Sequence, residues 1–456
     1  MKITVGSATR VSGCSQQVAS AIEDRLTFPN PKYLETQRLG YSTYSINQQI
    51  QCLRYEGSTL VIPRGFTSQA AQIGTQYGEK MEYVDERPVL PDVEFQFTGC
   101  LRPFQFTAVN AMLQKPFGVL QSPTGSGKTV AALALIAERK QPALIVVHTK
   151  ELLNQWIDRI ETFLSIPKVE IGIIGAGKMR VGNRVTVALV QSLVKCVEDA
   201  HEYVGNLIVD ECHRCPSKTF LDVVTAFDCL YMTGLSATPY RRDGLTRLIY
   251  FYLGEKQYEV PAAQMVDEGR ICRAVVKTVD TAFSSLVDGS AEYSKLLSEL
   301  TQDECRNELI SSTVAGSEST GLTLVLSDRK THCTTLQAML RDDHGINAEV
   351  LTGDMSEKAR TALVDRLRSG GIKTLCATGQ LIGEGFDLPQ IETVVLATPV
   401  KFSGRLIQYI GRALRPANGK DHAIIIDFTD RLVGVLAAGA NARRRVFKNM
   451  PGIDVL

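Results

Sequence analysis

The chain has 456 residues, more than one hydrophobic core usually holds, so we expect two or three domains. Hydrophobic residues make up 44% and charged residues 22%, which is the composition of a globular protein and excludes a disordered one. The 50 Lys and Arg residues against 49 Asp and Glu give a net charge of +1, so bulk charge argues neither for nor against a nucleic-acid partner, and any such affinity must come from local basic clusters. The eleven cysteines lie singly in apolar segments, which favours reduced thiols over a disulfide framework.

The N-terminal stretch differs in pattern from the rest of the chain. IQCLRYEG (50–57) and STLVIPRG (58–65) predict a hairpin that turns around Glu56, Gly57 and Ser58. ERPVLPDVEF (86–95) contains two prolines and is typical of a linker. We therefore expect a small α+β accessory domain over residues 1–95.

Short apolar runs rich in Val, Ile and Leu alternate with helix-like stretches through the rest of the chain. Runs that are apolar on both faces and separated by helices predict parallel strands covered on both sides. The runs are FGVLQ (117–121), ALIVVH (143–148), VTVALV (185–190), NLIVDE (206–211), CLYMTG (229–234), LTLVLS (322–327), AEVLTG (348–353), IKTLCATG (372–379), TVVLAT (393–398) and HAIIIDF (422–428). They predict two tandem α/β domains with parallel sheets, over residues 96–270 and 271–456.

SPTGSGKT (122–129) lies between a predicted strand and a predicted helix, as a phosphate loop must. Its first residue is Ser122, where the strict pattern has glycine. The backbone of Thr124, Gly125, Ser126 and Gly127 is expected to wrap phosphates, with Lys128 on the β and γ oxygens and Thr129 on Mg²⁺. The alternative is an ordinary glycine-rich turn.

A second near-match, GIIGAGKM (172–179), ends in methionine and therefore lacks the hydroxyl that would bind Mg²⁺. We interpret it as a loop between strands, which leaves one nucleotide site in the chain.

DECHRC (210–215) has two incompatible interpretations. Cys212, His213 and Cys215 have the spacing of half a zinc site, whereas Asp210 and Glu211 follow a buried strand two strands after the phosphate loop. A zinc site needs a fourth ligand and usually a second Cys or His pair, which the sequence does not offer. We therefore favour Asp210 as the magnesium ligand and Glu211 as the base that activates water.

Further segments resemble the motifs of superfamily 2 helicases in their order and spacing. The segments are LRPFQ (101–105), HTKELLNQW (148–156), VQSL (190–193), SATP (236–239), ATGQLIGEGFDLP (377–389) and QYIGRALRP (408–416). The resemblance covers roughly residues 100–440 and implies two RecA-like domains, ATP with Mg²⁺ as cofactors, and a nucleic acid as partner.

The resemblance also implies roles for single residues. Nucleotide contacts fall on Arg102, Gln105, Gly385 and Asp387, and coupling of hydrolysis to strand binding falls on His213, Ser236 and Thr238. Contacts with the nucleic-acid backbone fall on Thr149, Lys150, Ser192, Ser327, Arg329, Thr352 and Thr378. Hydroxyls and backbone N–H groups bind phosphates without reading bases, so sequence specificity is not expected. Arg54, Arg64 and Lys80 of the N-terminal region are candidates for further backbone contacts. The basic tail RRRVFKN (443–449) could hold a duplex, and its alternative is a solvated helix.

Arg412 and Arg415 are three residues apart on a predicted helix of the second α/β domain. Phosphoryl transfer needs positive charge near the γ-phosphate, and these two arginines are candidates to supply it as arginine fingers. Gln408, one turn earlier, fits a contact with the γ-phosphate or with His213. The alternative is a solvated helix face.

DECH, SATPYRRDG (236–244) and IIIDFTD (424–430) resemble the XPB-like and phage UvsW-like branch of the superfamily. This resemblance implies a DNA helicase or translocase that remodels forked or branched DNA in replication, recombination or repair. Two alternatives remain, the motor subunit of a restriction or defence system and an ATP-gated clamp on RNA or DNA. With no apolar run of membrane length, we expect a cytoplasmic monomer, in a bacterial host if the gene is a phage's.

Overall fold

The computed structural model describes residues 1–214, 218–240, 243–317, 321–379, 391–400, 403–417, 420 and 422–456, with the backbone alone at 357, 403–405, 408 and 412. These residues form two compact units, one of residues 1–123 and 127–260 and the other of 124–126 and 261–456. Among the helices described, none is both long enough and apolar enough to span a bilayer.

The N-terminal residues build a five-stranded sheet of their own. Its order is β5-β6-β2-β1-β7, with a separate pair formed by β3 and β4. The strands are β1 (Lys2–Val5), β2 (Thr9–Ser12), β3 (Thr27–Pro29), β4 (Gln49–Gln51), β5 (Arg54–Glu56), β6 (Thr59–Ile62) and β7 (Glu82–Asp85). The helices are α1 (Gln16–Leu26), α2 (Pro31–Arg38) and α3 (Thr67–Gln76). The predicted hairpin is present as β5 and β6, and Gly57 at its turn has a φ of 62° that favours glycine.

The two predicted α/β domains, residues 96–270 and 271–456, are called the first and second motor domains after the helicase resemblance. The core of the N-terminal sheet extends into the first of them. Ile3, Ile22 and Phe66 pack in one cluster with Leu248 and Phe251, which belong to a helix nearly two hundred residues later. The ring of Phe251 meets that of Phe66 edge to face, with centroids 5.5 Å apart. Residues 1–95 and the first motor domain therefore share an apolar core.

The first motor domain is an eight-stranded sheet of order β11-β10-β12-β9-β13-β14-β8-β15. Its pairings are parallel except for the hairpin of β10 and β11. The strands are β8 (Phe117–Gln121), β9 (Ala143–Val147), β10 (Gly172–Gly175), β11 (Lys178–Arg180), β12 (Val185–Leu189), β13 (Asn206–Asp210), β14 (Tyr231–Ser236) and β15 (Lys256–Glu259). All five residues of β9, β12 and β13 are buried, as expected for strands covered by helices on both faces.

Eight α-helices are described within residues 96–270, apart from the gaps at 215–217 and 241–242. They are α4 (Pro103–Leu113), α5 (Lys128–Arg139), α6 (Lys150–Leu164), α7 (Val190–Leu193), α8 (Val197–Ala200), α9 (Lys218–Ala226), α10 (Thr246–Leu253) and α11 (Ala262–Asp267). The carboxyl ends of β9, β13, β14 and β8 are neighbours in the sheet. In open α/β sheets this edge is where ligands bind.

The second motor domain is a seven-stranded sheet of order β18-β19-β17-β20-β21-β16-β22, in which every described pairing is parallel. The strands are β16 (Arg273–Asp280), β17 (Leu322–Ser327), β18 (Ala348–Leu351), β19 (Thr374–Thr378), β20 (Ile391–Leu396), β21 (His422–Thr429) and β22 (Ile453–Val455). The helices are α12 (Tyr293–Gln302), α13 (Glu304–Ala315), α14 (Lys330–Asp342), α15 (Glu357–Arg368), α16 (Ser403–Ala413) and α17 (Gly434–Lys448). The predicted α/β class with two parallel-sheet domains is confirmed.

The basic tail RRRVFKN (443–449) is only partly on the surface. The Nε of Arg443 donates to Asp427, at 2.9 Å from Oδ1, and the ring of Phe447 is buried. Burial and the neighbouring guanidinium act in opposite directions on Asp427, and burial prevails and raises the pKa of its carboxyl. Arg444, Arg445, Lys448 and Asn449 are exposed, so three of the four basic residues of the run face solvent and only Arg443 is withdrawn from it.

GIIGAGKM forms the hairpin of β10 and β11, with Ala176 and Gly177 at its turn. Both turn residues have positive φ, 52° and 79°, as a tight two-residue turn requires. The segment therefore connects two strands, as predicted, and Lys178 is an exposed strand residue.

Candidate nucleotide and nucleic-acid site

The phosphate loop spans the six residues between the end of β8 at Gln121 and the start of α5 at Lys128. Gly125 and Gly127 have φ angles of 82° and 78°, a left-handed conformation that favours glycine. A Cβ at Gly127 would meet the side-chain nitrogen of Gln105, so a side chain there would require Gln105 to move. The loop leads the backbone into the N-terminus of a twelve-residue helix, where N–H groups and the helix dipole favour anions.

Gln105 and Arg102, predicted to contact the nucleotide, lie at the start of α4. The Oε1 of Gln105 accepts a hydrogen bond of 3.0 Å from the backbone N–H of Arg102. This contact holds the buried Gln105 side chain beside Gly127. The structure thus brings Gln105 to the phosphate loop, with Arg102 bonded to it, while their contact with the nucleotide stays a prediction.

Asp210 is the last residue of β13, and two donors fix its carboxylate. Its Oδ1 accepts from the backbone N–H of Glu211 at 2.9 Å, and its Oδ2 accepts from the indole Nε1 of Trp156, also at 2.9 Å. Glu211 itself has a φ of 51°, which costs energy for a residue with a side chain and is a feature that clusters at functional sites. The backbone turns there, immediately after the strand.

A chain of polar contacts links Glu211 to the phosphate loop and to the SATP segment. The Nζ of Lys128 lies 4.0 Å from Oε1 of Glu211, and the Nδ1 of His213 lies 3.3 Å from its Oε2. The same Nδ1 lies 3.1 Å from the Oγ of Ser236. The backbone carbonyl of Ser236 in turn accepts from the N–H of Ser122 at 2.9 Å, which joins the ends of β8 and β14.

The two carboxyls have different electrostatic surroundings. Burial, and next the charge of Glu211, raise the pKa of Asp210 to about 6. For Glu211, burial acts in the raising direction, but Lys128 and then His213 outweigh it, so its pKa is lowered. The charge of Lys128 acts on Asp210 as well but does not offset burial there, so a cation would stabilise the Asp210 carboxylate, whereas Glu211 is already compensated.

These residues fit a magnesium nucleotide. The loop supplies backbone N–H groups and the Lys128 ammonium for phosphates, and Thr129 and Asp210 supply the hard oxygen ligands that Mg²⁺ prefers. In the described part of the chain, no cluster of three or more His, Cys, Asp and Glu side chains could hold a metal by itself. Mg²⁺ bound through one carboxylate and substrate phosphates does not need such a cluster.

Cys212 lies in the apolar core of the first motor domain and not on a metal-binding surface. It is fully buried among residues such as Val209 and Leu253, and burial raises the pKa of its thiol. A buried neutral thiol at this position agrees with the preference for the carboxylates over the zinc interpretation. Cys215, the other sulfur of that interpretation, lies outside the described residues.

Trp156 is a site residue that sequence reasoning missed. It closes the HTKELLNQW segment, and its indole Nε1 donates to the carboxylate of Asp210, the predicted magnesium ligand. The signal available in the sequence was that this is the only tryptophan of the chain, placed in a motif segment.

In the first motor domain, the residues predicted to contact nucleic acid lie just after strand ends. Thr149 caps α6, where its side chain accepts from the N–H of Leu152 at 3.3 Å, and Lys150 is exposed beside it. Ser192 is partly exposed in the short α7, which follows β12. Thr238, assigned to coupling, is buried two residues after β14, and its N–H donates to the Oγ of Ser236 at 3.1 Å.

In the second motor domain, the predicted contacts gather at the carboxyl ends of β18, β19 and β17, which are adjacent strands. Thr352 and Thr378 are partly exposed there. Arg329 donates to the Oγ of Ser294 at 2.8 Å. Ser327 differs from the expectation, because its hydroxyl is buried and lies 2.9 Å from the Nδ1 of His332, so that hydroxyl is not displayed to a phosphate.

The arginine-finger candidates lie near the end of α16, which stops at Ala413. The spacing predicts both arginines on one helix. Arg415 instead lies beyond the end of that helix, and only Arg412 lies within it. The ammonium of Lys420 donates to the carbonyl oxygens of Arg415 and Ile391 at 3.0 and 2.7 Å, and so holds the end of this segment. The side chains of Gln408 and Arg412, and the whole of Gly385 and Asp387, lie outside the described residues.

Two family models match the chain, one in each motor domain. Residues 99–241 match the family described as "Type III restriction enzyme, res subunit", and residues 301–417 match the "Helicase conserved C-terminal domain". The chain belongs to the superfamily 2 helicases. These two matches contain the phosphate loop, DECH and SATP on one side and QYIGRALRP on the other.

Relatives of this superfamily 2 helicase cover most of its length. The helicase-family protein IRC3 of Saccharomyces cerevisiae is 29% identical over 371 residues, which are 74% of this chain and 53% of that protein. The DNA 3′-5′ helicase XPB of Kineococcus radiotolerans is 26% identical over 333 residues, 69% of this chain and 57% of that protein. The chain thus spans little more than half the length of these two relatives.

A solved structure agrees on the fold of this helicase. The ATP-dependent Type ISP restriction-modification enzyme LlaBIII, bound to DNA, is similar with a TM-score of 0.58 and 15% identity. The similarity covers 85% of this chain and 34% of that one.

Proposed function

We propose that this protein is an ATP-dependent DNA helicase or translocase that remodels forked or branched DNA, as a monomer in the cytoplasm. The observation that carries the ATPase part is the continuous contact chain from Lys128 through Glu211 and His213 to Ser236. Its successive members lie within 4.0 Å of one another, which supports a shared role for Lys128 as phosphate-binding cation, Glu211 as base and Ser236 of the SATP segment.

The proposal gives each residue of these contacts, and the residues beside them, a role in ATP hydrolysis. Lys128 and the loop N–H groups would bind the phosphates, and Asp210 with Thr129 would hold Mg²⁺, which would supply positive charge to the phosphates. Glu211, kept ionised by Lys128, accepts the proton of the attacking water. His213 links Glu211 to Ser236, so a shift of the SATP segment moves the base.

DNA as the partner is supported by the Kineococcus relative, whose name states a DNA 3′-5′ helicase. Contacts through Thr149, Lys150 and the second-domain residues Arg329, Thr352 and Thr378 would reach the sugar-phosphate backbone and make binding independent of sequence. Such binding is expected to weaken as salt rises, because each neutralised phosphate releases counterions.

ATP hydrolysis measured with single-stranded, duplex and forked DNA, and with RNA of equal length, tests the proposal. Lys128→Ala serves as the matched inactive variant, since it removes a single side chain at the start of α5. Stimulation by forked DNA together with strand separation supports the proposal. Stimulation without strand separation indicates an ATP-gated clamp, and stimulation by RNA alone contradicts the DNA assignment.

A second candidate is the motor subunit of a restriction or defence system. The observation that favours it is the description of the family that matches residues 99–241, a restriction-enzyme subunit. This candidate requires a nuclease on a partner chain. Pull-down of a nuclease with the tagged protein from its native host, and DNA cleavage that depends on both chains, would favour it over remodelling.

A further inference from the structure

Trp156 donates its indole N–H to a carboxylate, although a backbone carbonyl would satisfy a buried tryptophan as well. The side chain is 1% exposed, and its Nε1 lies 2.9 Å from Oδ2 of Asp210. The other oxygen of Asp210 already accepts from the N–H of Glu211, so each oxygen has one fixed donor. Together the two donors determine the plane of this carboxylate.

The helix that carries Trp156 also carries predicted DNA contacts. α6 begins at Lys150 after its cap Thr149, and Trp156 follows six positions later, which is about 9 Å along a helix. Leu153, Ile157 and Ile160 bury the same face of α6 in the domain. Because this face is close-packed, a displacement of the first turn is transmitted to the indole.

The indole N–H suits a magnesium site better than the charged donor of a lysine or arginine would. An indole N–H donates one hydrogen bond and carries no charge. A lysine or arginine in its place would fix Asp210 equally well but would neutralise the carboxylate and compete with Mg²⁺. The neutral indole orients Asp210 and leaves its charge for the cation.

We propose that Trp156 is a positioning residue that orients Asp210 towards the magnesium nucleotide and links this ligand to DNA bound at the first turn of α6. The inference rests on the proposed function, since it assigns Trp156 to the same nucleotide site. It extends that function by naming the element through which occupancy of the Thr149 and Lys150 surface reaches the magnesium ligand.

The test exploits the single tryptophan of the chain. Its codon is reassigned to an analogue with sulfur in place of the indole N–H, which keeps the shape and removes the donor. Trp156→Phe is a second variant, and Ile160→Val, buried on the same face of α6, controls for loss of packing. Binding of a fluorescent ADP analogue is titrated with Mg²⁺, in the presence and absence of a DNA oligonucleotide.

The analogue and Trp156→Phe are expected to raise the half-saturating Mg²⁺ concentration about tenfold, as is typical when a partner that orients a metal ligand is lost. Nucleotide binding without Mg²⁺ should stay unchanged, and the oligonucleotide should no longer alter the Mg²⁺ dependence. Ile160→Val should behave as wild type.

An unchanged Mg²⁺ dependence in the analogue protein overturns the inference, and so does an equal shift in Ile160→Val, which would assign the effect to packing. A shift that the oligonucleotide still modulates as in wild type overturns the link to DNA. Failure of the proposed function is distinguishable, because wild-type protein would then show no strand separation although its Mg²⁺-dependent ADP binding still reports on Trp156.

Discussion

The guanidinium of Arg64 donates a hydrogen bond of 3.1 Å to the backbone carbonyl of Cys229, which lies 165 positions later in the chain. The same group lies 3.2 Å from the sulfur of Met232 and stacks 5.2 Å from the ring centroid of Phe117. Arg64 is 2% exposed, so a residue that the sequence offered as a DNA contact instead joins the N-terminal sheet to the first motor domain.

Arg64→Ala should lower the free energy of unfolding by about 3 kcal/mol, because it leaves a cavity and buried acceptors without their donor. The control is Arg54→Ala, whose side chain is 66% exposed and whose loss should change stability by less than about 0.5 kcal/mol. Urea unfolding followed by the fluorescence of Trp156 measures both. Equal stability of the two variants would show that the Arg64 contacts are unimportant.

Deletion of residues 1–90 would uncover Leu248 and Phe251, so the role of this region on forks is better tested by surface substitutions. We expect the double variant Arg54→Ala, Lys80→Ala to keep ATP hydrolysis on single-stranded DNA and to bind forked DNA several-fold more weakly. Both residues are exposed. Loss of their phosphate contacts should also reduce the slope of the logarithm of the fork-binding constant against the logarithm of the salt concentration by about two. A wild-type salt slope would argue that this surface only supports packing.

Glu211→Gln should lower ATP turnover by about 10² to 10⁴ fold, the range for loss of a general base. Nucleotide binding should survive, since Asp210 keeps its two donors and the amide has the shape of the acid. Single-turnover hydrolysis and filter binding of ATP measure the two effects separately. Turnover near that of wild type would remove Glu211 from the role of base.

Acidification should destabilise the second motor domain through His332. Burial, and next Arg306, lower the pKa of His332 to about 3, while an unfolded histidine titrates near 6.5. Between those values the unfolded state binds more protons, so the contribution of His332 is fully present above pH 6.5 and is lost as the pH falls.

Between pH 7.5 and 5.5 this difference amounts to about 1.4 kcal/mol. His332→Gln, which cannot titrate, should lose correspondingly less stability over the same interval. Urea unfolding of both proteins by circular dichroism at the two pH values measures the difference. Parallel losses in wild type and variant would exclude a titration of His332.

The sequence was informative where structure depends on neighbours in the chain. The run FGVLQ predicted β8 with its observed bounds, because a fully buried parallel strand is continuously apolar. The glycines of TGSGKT likewise predicted a loop whose backbone conformation only they adopt readily. By contrast, β16 was missed, since its exposed Lys277 and Thr278 interrupt the apolar pattern.

Contacts between distant residues could not be predicted in the same way. Trp156 and Asp210 are 54 positions apart, and Arg64 and Cys229 are 165 apart, so only the packed sheet brings each pair together. Charged residues are mostly exposed, and this general preference misled the interpretation of Arg64 and Arg443. Both are buried because each found acceptors inside the protein.

The order of the eight-stranded sheet has a consequence for synthesis of the protein. β8, which carries the phosphate loop, lies between β14 and β15, and these strands end at Ser236 and Glu259. A nascent chain that has emerged only as far as residue 200 holds the complete loop sequence but neither strand that flanks it. Nucleotide binding by ribosome-bound chains should therefore appear abruptly once Glu259 has left the exit tunnel, more than a hundred codons after Lys128.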